Sequence, residues 1–220
     1  MVEQTQGIKY TQPSESFFEI PGVVYRGESR TYRLFEQMTD SMTQYQLAEF
    51  YEKEKSKGNP HPMDSVLHLT IPFAAYRLRN ESPEEAEKLR KFLQTSFRQN
   101  PNTLTRVIYN PDGNDEIIHN YGTSDQYSLR ENLVGPNNWM ADISDKNVLE
   151  SLLETSNVNK INEFFQWFNK TNGYLWRLNS KPSKKEERVV GFNADSTRLY
   201  LNGNRDPSNR SPAFRVLQVK

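Results

Sequence analysis

The residue types that carry most enzymatic chemistry are sparse in this chain of 220 residues. It has no cysteine, which excludes thiol catalysis, cysteine-ligated zinc and iron–sulfur clusters. Its three histidines, His61, His68 and His119, stand apart, and no HExxH motif, phosphate loop, GxGxxG or GxSxG occurs. The close acidic pairs have local explanations. Glu84 and Glu85 follow Ser82-Pro83, a helix start in which Pro83 takes the first helical position and Glu85 completes a capping box. Asp112 and Asp115 flank Gly113-Asn114 in a turn. Two carboxylates from distant segments could still meet as general acid and base. A carboxylate-dependent glycan hydrolase therefore stands as the alternative reading, and it predicts a deep pocket with two close acids. A structural or fibre protein is the second alternative, and it predicts a large apolar interface between copies.

The leading reading is recognition, and its residues lie in the segment 193–211. The candidates for contact with a partner are Asn193, Asp195, Thr197, Arg198, Tyr200, Asn202, Asn204, Arg205, Asp206, Ser208, Asn209 and Arg210. Tyrosine supplies a large contact area at low entropic cost, and short polar side chains supply adjustable hydrogen bonds. Strand alternation turns Leu199 and Leu201 inward and sets Arg198, Tyr200 and Asn202 together on the outer face. No catalytic residue, metal or cofactor is expected.

These positions need a scaffold. Val189–Phe192, Leu199–Leu201 and Phe214–Val219 read as short strands, as does Tyr174–Leu178. Arg106–Tyr109 and Glu116–His119 form a hairpin around Asn110-Pro111-Asp112-Gly113-Asn114. The spacing predicts helices over 32–57, 83–99 and 157–171, with a short one after Ser144-Asp145 and helix on both sides of Pro72. Aromatics make up 12% of the chain against 35% hydrophobic residues in all, so they must supply much of the core. Phe164, Phe165, Trp167, Trp176 and Phe214 are placed in or near it. The expected class is α+β, with the helices on a small twisted antiparallel sheet built from N-terminal and C-terminal strands. Residues 1–16 read as a polar leader and 17–220 as a single domain.

Charge and hydropathy narrow the partners. With 28 basic and 28 acidic residues the formal net charge is zero. The one basic cluster, Lys181, Lys184, Lys185 and Arg188, is interrupted by Glu186 and Glu187, so nucleic acid is not an expected partner. No apolar run approaches the ~20 residues of a membrane span, and the first 20 residues lack the apolar stretch of a signal peptide. The default location is thus cytoplasmic, and display on the cell surface would need another route.

The run Glu187-Arg188-Val189-Val190-Gly191-Phe192, a polar segment, and then Ser211-Pro212-Ala213-Phe214-Arg215-Val216 resembles the C-terminal end of C-type lectin-fold proteins. In detail it resembles the archaeal, nanoarchaeal-type variable proteins of diversity-generating retroelements. The likeness covers about residues 173–220, and Arg106–Tyr109 with Ile117–Gly122 is similar to the same group. The resemblance implies a C-type lectin-like fold with a loop-rich C-terminal half and a variable ligand-binding region at about 188–215. It implies a hypervariable surface that recognises a protein or glycan on another cell. In such proteins asparagine codons are scattered at adenines and cannot become Lys, Gln, Glu, Met or Trp, and none of those five types occurs between Asn193 and Ser211. The chain departs from animal C-type lectins in lacking cysteine and Trp-Asn-Asp, so calcium-dependent sugar binding is not carried over. The cysteine chemistry of the related formylglycine-generating enzymes is not carried over either.

Overall fold

The computed structural model, which describes residues 7–11, 15–194 and 198–219, starts with an edge strand, β1 (Lys9–Thr11), laid antiparallel on β2 (Phe17–Tyr25). β2 turns back into β3 (Glu28–Phe35) through Arg26-Gly27, both at positive φ, 51° and 76°. That is the conformation of a two-residue hairpin turn whose twist suits right-twisted strands. Pro21-Gly22 makes a bulge inside β2 and does not end it: the register with β3 shifts between Ile20 and Val23. The segment expected as a polar leader thus contributes β1, and just before it the Ile8 N–H donates to Ser82 Oγ at 2.9 Å.

The helix expected over 32–57 is shorter. Tyr32–Phe35 belongs to β3, where buried Tyr32 and Leu34 alternate with half-buried Arg33. Helix α1 (Gln44–Lys55) begins only after Thr43, whose hydroxyl and the Gln46 side chain form a reciprocal capping box. The spacing of Phe35, Met38 and Met42 mimics a helical face across a strand end and a loop. After the two-residue strand β4 (His61–Pro62), α2 (Ser65–Arg77) runs through Pro72 as one helix. The proline leaves the carbonyl four residues back without its helical donor, and the helix tolerates this inside the core, with Leu69, Ile71, Ala74 and Ala75 all buried. In α3 (Pro83–Phe97), Pro83 opens the first turn as expected, but the Ser82 hydroxyl serves Ile8 and does not cap.

The remaining elements are β5 (Asn102–Tyr109), β6 (Asp115–His119), β7 (Tyr127–Glu131), β8 (Asn138–Trp139), a 3-10 turn at Met140–Asp142, α4 (Asn147–Leu153), α5 (Val158–Asn169), β9 (Gly173–Trp176), β10 (Glu186–Ala194), β11 (Leu199–Arg205) and β12 (Arg215–Gln218). The class is α+β. The single terminal sheet anticipated from the sequence is joined by a larger one. The first sheet has the order β1-β2-β3-β12-β4, so the C-terminal strand pairs with the N-terminal hairpin. The second has the order β7-β6-β5-β10-β11-β9-β8 and carries the segment 193–205.

One buried apolar cluster joins the faces of both sheets to the helices. Its centre is aromatic. The Phe97 ring lies 5.6–5.7 Å from those of Phe192 and Phe214, and Phe168 packs edge-on at 5.3 Å. Phe164, Phe165 and Phe214 are buried as expected, and Trp167 packs half-buried against them. Trp176 is a correction: it is 39% exposed, because in β9 it follows buried Leu175 and so points outward.

Candidate functional site

The site is built on three adjacent strands. β10 and β11 are antiparallel, and β11 and β9 are parallel, so pairs in register share a face. Phe192, Leu201 and Leu175 align across the three strands and are all buried. Asn193, Tyr200 and Tyr174 align in the next row and point outward, as do Asn202 and Trp176 beyond. The alternation read from Leu199, Tyr200, Leu201 and Asn202 is therefore the alternation of the sheet. Buried Gly203 lets the Tyr109 hydroxyl donate to its carbonyl at 2.9 Å, which ties β11 to β5.

Two chemistries meet on this face. Toward β8 it is aromatic. Trp139 and Tyr174 pack edge-on at 5.2 Å, Trp176 and Tyr200 lie 6.3 Å apart, and the Arg198 guanidinium sits 5.1 Å from the Tyr174 ring centre and 5.9 Å from that of Tyr200. Such arginine-over-ring contacts hold the cation in place without neutralising it. Toward the β11–β12 connection it is polar. An open groove of about 670 Å3 is lined by Gln99, Asn100, Asn193, Asn202, Asn204, Arg205, Asp206, Asn209, Arg210 and Ser211.

The side chains of the groove differ in how they are held. Asn193 Nδ2 donates to Asn100 Oδ1 at 2.7 Å, and Arg188 Nε to Asn204 Oδ1 at 2.8 Å. Asn202 Oδ1 accepts the Asn204 N–H at 2.9 Å. Asp206 accepts from the Ser208 N–H at 2.8 Å and the Ser208 hydroxyl at 2.7 Å, a local turn that holds its carboxyl below the usual range. Arg205 is a strut as much as a contact. It donates to the Asn100 and Pro101 carbonyls at 2.9 and 3.0 Å and to Ser211 Oγ at 2.7 Å. Burial pushes its pKa down to about 10, so it stays charged at neutral pH. Arg210 donates to the Ser41 carbonyl at 2.9 and 3.2 Å.

Gly191 is required by this arrangement. A Cβ there would come within 2.3 Å of Arg205 Nη1 and 2.9 Å of the Pro101 carbonyl oxygen. Ten of the twelve positions proposed from the sequence are thus placed on one surface: Asn193, Arg198, Tyr200, Asn202, Asn204, Arg205, Asp206, Ser208, Asn209 and Arg210. Asp195 and Thr197 lie outside the described residues. Sequence reasoning missed Trp139, Tyr174, Trp176 and Asn100. For Tyr174 and Trp176 the signal was present, since they flank Leu175 as Tyr200 and Asn202 flank Leu201. For Asn100 there was none, because its place in the groove depends on chain segments far apart.

Several of the groups that could support catalysis are held in other work. Asp115 accepts the Asn110 and Leu133 N–H groups at 2.7 and 2.9 Å, and Asp112 accepts the Asn114 N–H at 3.0 Å. Buried Asp64 accepts the Tyr25 hydroxyl at 2.8 Å and caps α2 through the Leu67 N–H at 3.0 Å. His119 Nε2 donates to the Ser151 carbonyl at 2.8 Å, leaving Nδ1 to face Thr105 Oγ1 at 3.0 Å. His68 is boxed by Phe97, Phe192 and Phe214. Among the described residues no group of His, Asp or Glu side chains is arranged to hold a metal ion, and no helix is long and apolar enough to cross a membrane. Comparison of the chain with protein-family models, with curated proteins and with solved structures finds no match.

Proposed function

We propose that this chain is a ligand-binding display protein and not an enzyme, with a C-type lectin-like fold. Its C-terminal surface, diversified by a retroelement, recognises a protein or glycan partner. The observation that carries the reading is the division of labour along β10 and β11. In β11 Leu199, Leu201 and Gly203 are buried while Tyr200, Asn202 and Asn204 between them form a polar and aromatic face, and β10 supports it with the buried run Val189–Phe192. Changes on such a face alter what is recognised while leaving the core intact. The pairing of the terminal strands in one sheet, with an irregular polar connection presented on the other, also supports the lectin-like reading.

The genomic neighbourhood tests it. The expected finding is a near-copy of codons 188–215 downstream of the gene, differing where the copy has adenine, together with a reverse transcriptase gene. A locus with neither would remove the retroelement from the reading. Binding is tested separately by randomising Tyr200, Asn202 and Asn204 in a display library. Folded clones with different partners are expected; a library that yields no binder to any of a broad protein and glycan panel would overturn it.

A further inference from the structure

A second concavity shares no lining residue with the polar groove. It encloses about 430 Å3 between the β2–β3 hairpin, α1, the His61–Met63 segment, the loop after β6, and β12. Ligand pockets run about 300–1,000 Å3 and combine aromatic walls with a few fixed polar groups. Four polar side chains in this wall are themselves more than nine-tenths buried: Tyr25, Tyr32, Tyr51 and Asn120, at 8%, 3%, 4% and 5% exposure. Surface hollows that merely hold solvent do not require buried, oriented polar groups, which are costly unless bonded.

These groups are oriented. The Tyr25 hydroxyl donates to Asp64 at 2.8 Å and accepts from Asn120 Nδ2 at 2.9 Å. The Tyr51 hydroxyl and the Lys55 ammonium both donate to Asp125. His61 lies edge-on to Tyr51 at 4.4 Å, and its Nδ1 donates to the Pro62 carbonyl at 3.0 Å, so Nε2 is an acceptor. Burial lowers the His61 pKa, which keeps the ring neutral at pH 7.

Two of the three cations of the wall are paired with its acids. Arg30 pairs with Glu28 and Lys55 with Asp125. The remaining cation is Arg26, over the Tyr127 ring at 4.5 Å, and the Asp64 carboxyl lies against Tyr25 beneath the floor. A phosphate or acidic ligand needs an excess of cationic donors, and an amine needs an excess of acid. This wall has neither. It offers donors and acceptors side by side on aromatic surfaces. We propose that this cavity is a second ligand site, independent of the display face, for a neutral, hydroxyl-rich ligand the size of one sugar ring.

The test is saturation-transfer NMR on the full chain with the methyl glycosides of glucose, galactose and mannose at millimolar concentration, and with inorganic phosphate as the charged comparator. At least one methyl glycoside should bind saturably, and phosphate should not displace it. Asp125→Asn should weaken it by about tenfold, the worth of one charge-assisted hydrogen bond. Leu217→Trp, which fills the cavity from β12, should abolish it, and Tyr200→Ala should leave it unchanged. Should Leu217→Trp not fold, as judged by thermal unfolding, Asp125→Asn carries the test. The proposal is overturned if no methyl glycoside binds, if phosphate competes, or if Asp125→Asn leaves the affinity as it was. Loss of binding in Tyr200→Ala would also overturn it, and would move the sugar to the display face.

Discussion

At the scale of single residues, Arg205 and Tyr200 sit five positions apart in β11 and do different work. Tyr200 touches mainly Trp176 and Arg198, at the outer surface. Arg205 closes the groove from below, bonding the Asn100 and Pro101 carbonyls and Ser211. Removing it would leave those acceptors and the space over Gly191 empty, a loss of about 2–4 kcal/mol if each bond contributes the usual ~1 kcal/mol and the buried acceptors stay unmet. Tyr200→Ser removes no such support and should change stability by about 1 kcal/mol or less. Urea unfolding of Arg205→Ala and Tyr200→Ser decides the matter: equal losses would mean that Arg205 is display and not scaffold. Gly191→Ala should destabilise as well, since its Cβ would meet both the Arg205 guanidinium and the Pro101 carbonyl.

At the scale of elements, scaffold and display should separate in the same way. Leu201→Ala opens a void between Phe192 and Leu175 and should cost about 2–5 kcal/mol, read as a lower denaturant midpoint at unchanged slope. Thr43→Ala removes half of the capping box of α1 and should cost about 1 kcal/mol. That cap also shows what the sequence made legible. Thr43-x-x-Gln46 is a local helix start, but the apolar spacing from Phe35 through Met42 masks it, because three residues at helical intervals can come from a strand end and a loop. The hairpin of β5 and β6, the helices near 83 and 157, and the inward Leu199 and Leu201 are legible because their determinants lie within a few residues. The second sheet is not, since β10 must find β5 about eighty residues away and no local pattern states that pairing. The same limit applies to the site. The outer row of β11 follows from alternation, whereas Arg205 reaching Pro101 and Arg210 reaching Ser41 depend on segments brought together only by the fold.

At the scale of the whole molecule, the aromatic centre contains one titratable group, and it makes the stability depend on pH. His68 is fully enclosed by Phe97, Phe192 and Phe214, and neither ring nitrogen has a hydrogen-bond partner among the described residues. Burial pushes its pKa down to about 3, with a further push from the Arg205 charge. In the unfolded chain it titrates near the ordinary value of about 6.5. Between these values the unfolded chain binds a proton that the folded chain does not, so folding stability is full above about pH 6.5 and falls as the pH drops toward 3. The slope for one such group approaches about 1.4 kcal/mol per pH unit. His61 is shifted in the same direction by burial and adds to the loss. Asp125 and Asp206 are held below the usual carboxylate range, so their contributions are lost only at more acidic pH. His68→Phe isolates the central term. It removes two unmet nitrogens from the core and should raise stability at pH 7.5 by about 1–3 kcal/mol. Its margin over the parent should then widen steadily at pH 6, 5 and 4, because only the parent loses the histidine term. Urea unfolding at those four pH values measures the margin directly. A constant difference between the two curves would mean that His68 is not the buried, neutral ring on which the aromatic centre closes.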